Sequence, residues 1–197
     1  MLKIIKFKII IMKRITLLVI AIICIPQFMQ AQEPAIDLGN KFLNLGLGIG
    51  SVRYSGTGYS GTIPPLSISY ENIIRDEILE KGFIGVGAYL GFSSYKWDYW
   101  FGDWGYRYTT IIPGARASFH YPVIDRLDSY TGLMLGYQIV STREVGTVTP
   151  GLYSAYSSGF MWSWYAGGRY FLSDKFILMG EIGYGITYLN IGVALSI

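Results

Sequence analysis

Cysteine and histidine are almost absent from this sequence. Its 197 residues include one cysteine, Cys24, and one histidine, His120. A single thiol excludes an intrachain disulfide, and so few thiol and imidazole groups leave a zinc site without its usual ligands. The sequence therefore predicts no metal site and no cofactor. A lipid anchor on Cys24 remains an alternative, although Ile23 stands where a lipid-attachment motif has a small residue.

Charged residues are also few, at 15% of the chain, and the net charge of +3 is unevenly distributed. Residues 1–31 hold five cations and no acid. Without these five, the 16 Lys and Arg fall to 11, against 13 Asp and Glu, so the remaining chain is slightly acidic. Bulk attraction to a polyanion is thereby excluded, and we expect no nucleic-acid partner.

The cationic start of the chain has the organisation of a secretory signal peptide. Lys13 and Arg14 precede an apolar run from Ile15 to Ile25, and a small residue, Ala31, stands where cleavage is expected. The apolar run is about half the ~20 residues of a spanning helix. We therefore predict a signal peptide over residues 1–31, cleaved after Ala31, with Met12 as a possible true start. The alternative is a retained N-terminal membrane helix.

Long apolar runs are missing from the rest of the chain, where apolar residues alternate with small or polar ones. The last residues show this most clearly, because Leu189, Ile191 and Val193 share one parity while Asn190, Gly192 and Ala194 share the other. A period of two is typical of a β-strand whose two faces meet different surroundings.

The same alternation recurs in eight segments, separated alternately by short charged turns and longer loops rich in glycine and aromatic residues. This layout predicts an all-β fold, a closed eight-stranded antiparallel up-and-down transmembrane β-barrel. We place the barrel over residues 42–197, after a short periplasmic segment over residues 32–41. The predicted strands are 42–54, 64–74, 82–95, 107–121, 129–143, 158–172, 176–185 and 188–197.

Mid-strand charges share the parity of the glycines and serines, opposite the apolar residues. A soluble lipocalin would have the reverse arrangement, with an apolar interior and a charged exterior. The pattern thus predicts an ion-pair network in a narrow lumen. The network would either plug the barrel or line a selective polar path; its members are Glu71, Arg116, Arg169 and Glu181.

Aromatic residues are concentrated in one predicted loop. We interpret this extracellular aromatic loop as part of a girdle at the membrane surface, with binding of an unknown extracellular ligand as the alternative. Tyr70, Tyr121, Tyr170 and Phe176 would form the opposite girdle. The loop contains Trp97, Tyr99, Trp100, Trp104 and Tyr106, followed by Tyr108.

Ser118 and His120 lie two residues apart on the same predicted face, which allows a Ser–His hydrolytic pair to be imagined. The sequence places no acid beside His120 to orient the imidazole. We therefore predict no catalytic residues and treat a lipid-modifying outer-membrane enzyme as the less favoured hypothesis.

The closing run EIGYGITYLNIGVALSI, residues 181–197, resembles small outer-membrane β-barrel domain proteins of the Bacteroidetes type, within the OmpA/OmpX-like eight-stranded class. The resemblance implies location in the outer membrane of a Gram-negative bacterium. It also implies insertion by the barrel-assembly machinery and contact with outer-membrane lipid and lipopolysaccharide, and it assigns no catalytic residue. We expect a non-enzymatic barrel with a structural or surface-interaction role. The alternative is a narrow porin or a channel for small hydrophobic solutes.

Overall fold

The computed structural model of the protein describes residues 36–50, 59–98, 105–145, 157–184 and 186–197. All regular elements in these ranges are β-strands, and no helix in them is long and apolar enough to cross a membrane. The predicted signal peptide with its cleavage site, Cys24, and the loop residues Tyr99, Trp100 and Trp104 lie outside the described residues. The strands are β1 (Lys41–Ile49), β2 (Tyr59–Ile78), β3 (Gly82–Asp98), β4 (Gly105–Ile124), β5 (Leu127–Val145), β6 (Gly159–Phe171), β7 (Phe176–Tyr184) and β8 (Leu189–Ser196).

Each of these eight strands is antiparallel to the next, and the last one pairs with the first. The β1–β8 ladder runs from Phe42 opposite Ser196 to Ile49 opposite Leu189. The described strands thus form a closed ring, in which each strand pairs with a neighbour on both sides. The predicted all-β, eight-stranded, antiparallel up-and-down arrangement is confirmed.

The ring has two rims of different character. We call the one that carries the start of β1, the end of β8 and the connections 79–81, 125–126 and 172–175 the terminal rim, and the opposite one the loop rim. Strands β2 to β5 have 17 to 20 residues, whereas β1 and β6 to β8 have 8 to 13. The sheet of β2 to β5 therefore extends further at the loop rim.

Several predicted strand ends were wrong. Strands β2, β4 and β5 extend beyond the predicted bounds 64–74, 107–121 and 129–143, because backbone pairing with neighbours continues through polar residues such as Asp128. The predicted turn 122–128 shrinks to two residues, with Arg126 at φ +61°. Strand β1 ends at Ile49, before Gly50 at a φ of +74°, a left-handed conformation that glycine adopts readily.

The two faces of the wall differ in the predicted way. Apolar residues of one parity are exposed, as at Leu135 (69%), Trp162 (56%) and Phe160 (90%). Residues of the other parity are buried in the ring, as β4 shows by alternating through Thr110, Ile112, Arg116, Ser118 and His120 on its inner face. The inner face is thus packed like a core, while the outer face exposes side chains that water would not solvate well.

The interior is built in layers along the barrel. An apolar layer near the terminal rim contains Phe42, Phe83 and Ile36, the last contributed by the segment before β1. The charged residues come next, followed by an apolar layer with Ile112, Met134 and Met161. Three tyrosines, Tyr95, Tyr106 and Tyr108, form a further cluster toward the loop rim.

Candidate functional site: the ion-paired lumen

The structure brings Glu71 (β2), Arg116 (β4), Arg169 (β6) and Glu181 (β7) together inside the barrel. All four are buried, with exposed fractions of 3%, 7%, 1% and 7%. Every second residue of a strand faces the lumen, so strands separated in sequence aim these side chains at one another. An isolated charge buried in this way would strongly destabilise the folded protein. Each of the four charges therefore needs partners of opposite charge or hydrogen-bond donors and acceptors.

The four charges form two ion pairs. Arg116 Nη2 lies 2.5 Å from Glu181 Oε1, and Arg169 Nη2 pairs with Glu71 Oε2. Arg169 also reaches a third carboxylate, with its Nη1 at 3.3 Å from Asp128 Oδ2. The pairs join β4 to β7 and β6 to β2, so each crosses the lumen between strands that are not neighbours in the sheet.

Further hydrogen bonds satisfy the carboxylates. Glu181 accepts hydrogen bonds from Tyr130 Oη at 3.0 Å and Asn190 Nδ2 at 3.1 Å. Glu71 accepts one from Ser118 Oγ at 2.5 Å. A buried ion pair is tolerated only when such bonds occupy the remaining lone pairs, and these neutral side chains supply them.

Aromatic rings pack against both guanidinium groups. The Arg116 guanidinium carbon lies 3.9 Å from the ring centre of Tyr165. The Arg169 guanidinium carbon lies 4.6 Å from the ring centre of Phe42 and 4.8 Å from that of Tyr130. A desolvated cation over an aromatic face gains electrostatic attraction to the ring. The charged layer is therefore held by ion pairs and hydrogen bonds, and its two guanidinium groups pack against aromatic rings.

Asp128 and His120 extend the network, and the sequence interpretation missed their pairing. His120 is fully buried, and its Nδ1 lies 2.8 Å from Asp128 Oδ1. The expectation that no acid lies near the imidazole was wrong. The predicted strand bounds leave Asp128 in a turn, whereas it belongs to β5 and has the inward parity of Tyr130. That parity was the signal that could have identified it.

The geometry does not form a Ser–His hydrolytic pair. The Ser118 hydroxyl bonds to Glu71 and lies 2.9 Å from Tyr165 Oη, and within the described strands it makes no hydrogen bond to His120. Instead His120 Nε2 lies 3.5 Å from Glu71 Oε1, so the carboxylate stands between the two groups. A nucleophile that is not bonded to its base lacks the activating contact of covalent catalysis.

The described part of the aromatic loop does not form an outer girdle. Trp97 and Tyr106 belong to β3 and β4, where they pair across the ladder and their rings stack at 6.4 Å. Tyr106 and Tyr108 face the interior, being 5% and 4% exposed. The prediction was wrong here because the strands continue into the supposed loop and keep their parity. Exposed outward aromatics toward the loop rim are Tyr137, Phe160, Trp162, Tyr184 and Tyr188.

A small cavity adjoins the charged layer on the side of the loop rim. Its volume is about 30 Å³, and its lining includes Tyr89, Arg116, Glu181 and Asn190. A space of this size holds water and excludes an organic solute. The charged layer is thus a packed part of the interior.

Gly85 makes room for the contact between Glu71 and His120. A Cβ atom at this position would lie 2.9 Å from both Glu71 Oε1 and His120 Nε2, and neither group can move without breaking its bonds to Arg169 or Asp128. We expect Gly85→Ala to lower the free energy of unfolding by about 1–3 kcal/mol, the usual cost of overpacking. Urea titration followed by gel migration of the unboiled protein measures it.

Gly180→Ala is the matched control, because nothing lies within 4 Å of a Cβ at Gly180. It should leave the unfolding free energy within about 0.5 kcal/mol of the wild-type value. Equal effects of the two substitutions would show that Gly85 does not shape the network.

Comparison with known proteins gave matches only among solved structures. No protein-family model and no curated protein matches the chain. The N-terminal β-barrel domain of Pseudomonas aeruginosa OprF is 13% identical, with 81% of this chain and 97% of that chain covered and a TM-score of 0.42. The Yersinia pestis outer-membrane protein Ail is 12% identical, with coverage of 81% and 96% and a TM-score of 0.44. A de novo designed transmembrane β-barrel is 14% identical, with coverage of 82% and 98% and a TM-score of 0.38. The structural neighbours are thus membrane-spanning β-barrels.

Proposed function

We propose that the protein is a non-enzymatic β-barrel of the outer membrane of a Gram-negative bacterium. Its lumen is closed by the ion-paired layer, and its role is structural or one of surface interaction. The observation that carries the proposal is the division between the two faces of the wall: large apolar side chains point outward and are exposed, while ionised side chains point inward and are buried.

The outer face fits hydrocarbon better than water. Exposed apolar side chains occur on every strand, for example Leu45, Leu66, Leu90 and Leu178 at 44–48%. Soluble monomers rarely expose such a continuous apolar surface. Because the ring is closed, its backbone groups are paired within the wall, as a bilayer requires.

Exposed aromatics flank this apolar band in the manner of membrane-interface girdles. Tyr70, Tyr170 and Phe176 lie toward the terminal rim, and Tyr137 and Phe160 toward the loop rim. Outer-membrane barrels have short turns on the periplasmic side and longer loops outside. We therefore assign the terminal rim to the periplasm, which agrees with a signal peptide cleaved after Ala31 and insertion by the barrel-assembly machinery.

A plug agrees better with the interior than a pore does. The charged layer lies between apolar layers that contain Phe42 on one side and Met134 on the other, so an ion would have to cross both. An eight-stranded barrel is only wide enough for its own side chains. These features favour a closed barrel over a narrow porin. The Ser118 hydroxyl bonds to Glu71 instead of His120, so the geometry does not favour an esterase or a lipid deacylase.

Planar-bilayer recording tests the closed lumen. Purified protein inserted into a bilayer should produce no steady conductance steps, because both apolar layers and the ion pairs block the path. A general porin run in the same chamber provides the positive control. Regular, reproducible steps from the purified protein would contradict the plug and support the narrow-porin alternative.

A further inference from the structure

Inward-facing side chains at the terminal rim are buried, although they lie at the very ends of their strands. Phe42, Phe83 and Ile177 are each the second residue of a strand, and their exposed fractions are 0%, 7% and 1%. Ala194, the third residue from the end of β8, is 0% exposed. At the mouth of an open barrel such side chains would be in contact with water. This mouth is therefore covered.

Ile36 covers the mouth from outside the sheet. Among the residues that the structure describes, it is the one buried member of the apolar cluster at this rim that belongs to no strand, and it is 1% exposed. The other buried members come from β1, β2, β3, β7 and β8, so Ile36 packs into a cluster that joins five of the eight strands. These members are Phe42, Ile73, Phe83, Ile177 and Ala194.

A tight turn after Ile36 directs its side chain back toward the lumen. Asp37 N donates to Asn40 Oδ1 at 2.8 Å, and Asn40 N donates to Asp37 O at 3.1 Å. Gly39, between them, has a φ of +85°, which glycine adopts readily. Two backbone hydrogen bonds of 2.9 Å, from Gly39 N to Ile73 O and from Ile73 N to Asn40 O, join the turn to β2. These bonds hold the base of the segment, whereas the hydrocarbon side chain of Ile36 is held by packing.

The cover protects the charged layer next to it. Phe42 belongs to the same cluster as Ile36, and its ring centre lies 4.6 Å from the Arg169 guanidinium carbon. Asp128, the second residue of β5, is 1% exposed and accepts a hydrogen bond from Arg169 Nη1. Water entering at this mouth would hydrate both charges and weaken their attraction, because charges attract less strongly in a high dielectric.

We propose that residues 36–40 form a lid over the terminal mouth of the barrel, with Ile36 as the side chain that seals it. The lid opens when Ile36 withdraws about the turn at Gly39 and Asn40, while the eight strands stay paired. It is a closure separate from the ion-paired layer, and it controls whether water reaches that layer. The inference rests on the proposed closed membrane barrel and goes beyond it, because it assigns a movable part to one mouth.

Thiol labelling of the protein in phosphatidylcholine nanodiscs tests the lid. Every variant carries Cys24→Ser, and Ala194→Cys then places a single small thiol beneath the lid. A water-soluble methanethiosulfonate reagent should label this thiol slowly while Ile36 is present. Ile36→Asp should raise the labelling rate about a hundredfold, because a carboxylate does not occupy the apolar site that isoleucine fills. Mass spectrometry of samples taken over time measures the rate.

Leu38→Asp is the matched control, because Leu38 lies in the same segment and is 54% exposed. It should change the labelling rate of A194C by no more than about twofold. Thr110→Cys provides a second reporter, 2% exposed on the inner face of β4 toward the loop rim. Its labelling rate should be the same with and without Ile36→Asp, because the lid closes only the terminal mouth.

Rapid labelling of A194C in the presence of Ile36 would overturn the proposal, as would equal rates with Ile36→Asp and Leu38→Asp. Faster labelling of T110C in the Ile36→Asp variant would also overturn it, because the whole barrel would then be opening. Ile36→Ala, which removes most of the side chain without adding a charge, should raise the A194C rate about tenfold and replaces Ile36→Asp if that variant does not fold. Gel migration of each variant with and without boiling reports separately whether a membrane barrel has formed, so failure of the lid is distinguishable from failure of the proposed function.

Discussion

Replacing Arg169 with methionine should lower the free energy of unfolding by about 3–5 kcal/mol, the range found when one partner of a buried ion pair is removed. Arg169 is 1% exposed and pairs with both Glu71 and Asp128. Methionine replaces the aliphatic stem of the side chain but not its guanidinium group, so two buried carboxylates lose their cation. Equilibrium unfolding in urea, followed by the gel migration of unboiled samples, measures the change.

Lys175→Met is the control for this substitution. Lys175 is an exposed cation in the 172–175 connection, and its replacement should change the unfolding free energy by no more than about 0.5 kcal/mol. If Arg169→Met lowers the free energy of unfolding no more than Lys175→Met does, the ion-paired layer does not stabilise the barrel. If the double variant Glu71→Gln with Arg169→Met recovers part of the loss, the unpaired carboxylate is identified as its cause.

Replacing Leu135 with arginine should destabilise the folded protein in a bilayer by about 2–4 kcal/mol, as for arginine at the midplane of a barrel wall. Leu135 is 69% exposed and lies in the middle of the outer face of β5, between Leu133 and Tyr137. An exposed leucine in water would tolerate the same change, because arginine is readily solvated there. Unfolding in lipid vesicles by urea measures the difference.

Ser141→Arg provides the depth control on the same face of the same strand. Ser141 lies six residues closer to the loop rim, next after Ile139 on the outer face, at the edge of the apolar band. Arginine near the interface costs only about 0–1 kcal/mol. Equal effects at the two positions would mean that the outer face of β5 has no depth-dependent environment, which contradicts a bilayer around the barrel.

Much of the fold could be predicted from the sequence because the two faces of each strand meet such different surroundings. A period of two distinguishes the faces wherever apolar and small residues alternate, as at Leu45, Gly46 and Leu47. The same parity places Arg116 and Glu181 on the inner face, where the structure has them. Strand number and the up-and-down order then follow from the count of alternating segments and the connections between them.

Strand ends and pairing partners could not be predicted from one sequence. Asp128 and Tyr106 look like turn and loop residues by composition, yet backbone pairing with neighbouring strands continues through them. The partner of each charge depends on the stagger of all eight strands around the ring, and this stagger cannot be read from the alternation of residues within one strand. For this reason the pairing of Arg116 with Glu181, and of Arg169 with Glu71, required the three-dimensional structure.

The most direct test of the division between outside and inside is tryptophan quenching by lipids with brominated acyl chains. Trp97→Phe, Trp100→Phe and Trp104→Phe together leave Trp162 and Trp164, both exposed on the outer face of β6. In vesicles of brominated lipid, their fluorescence should be strongly quenched, while acrylamide in the water should have little effect. Fluorescence that acrylamide quenches and brominated lipid leaves unchanged would place this face in water and contradict a membrane-spanning barrel.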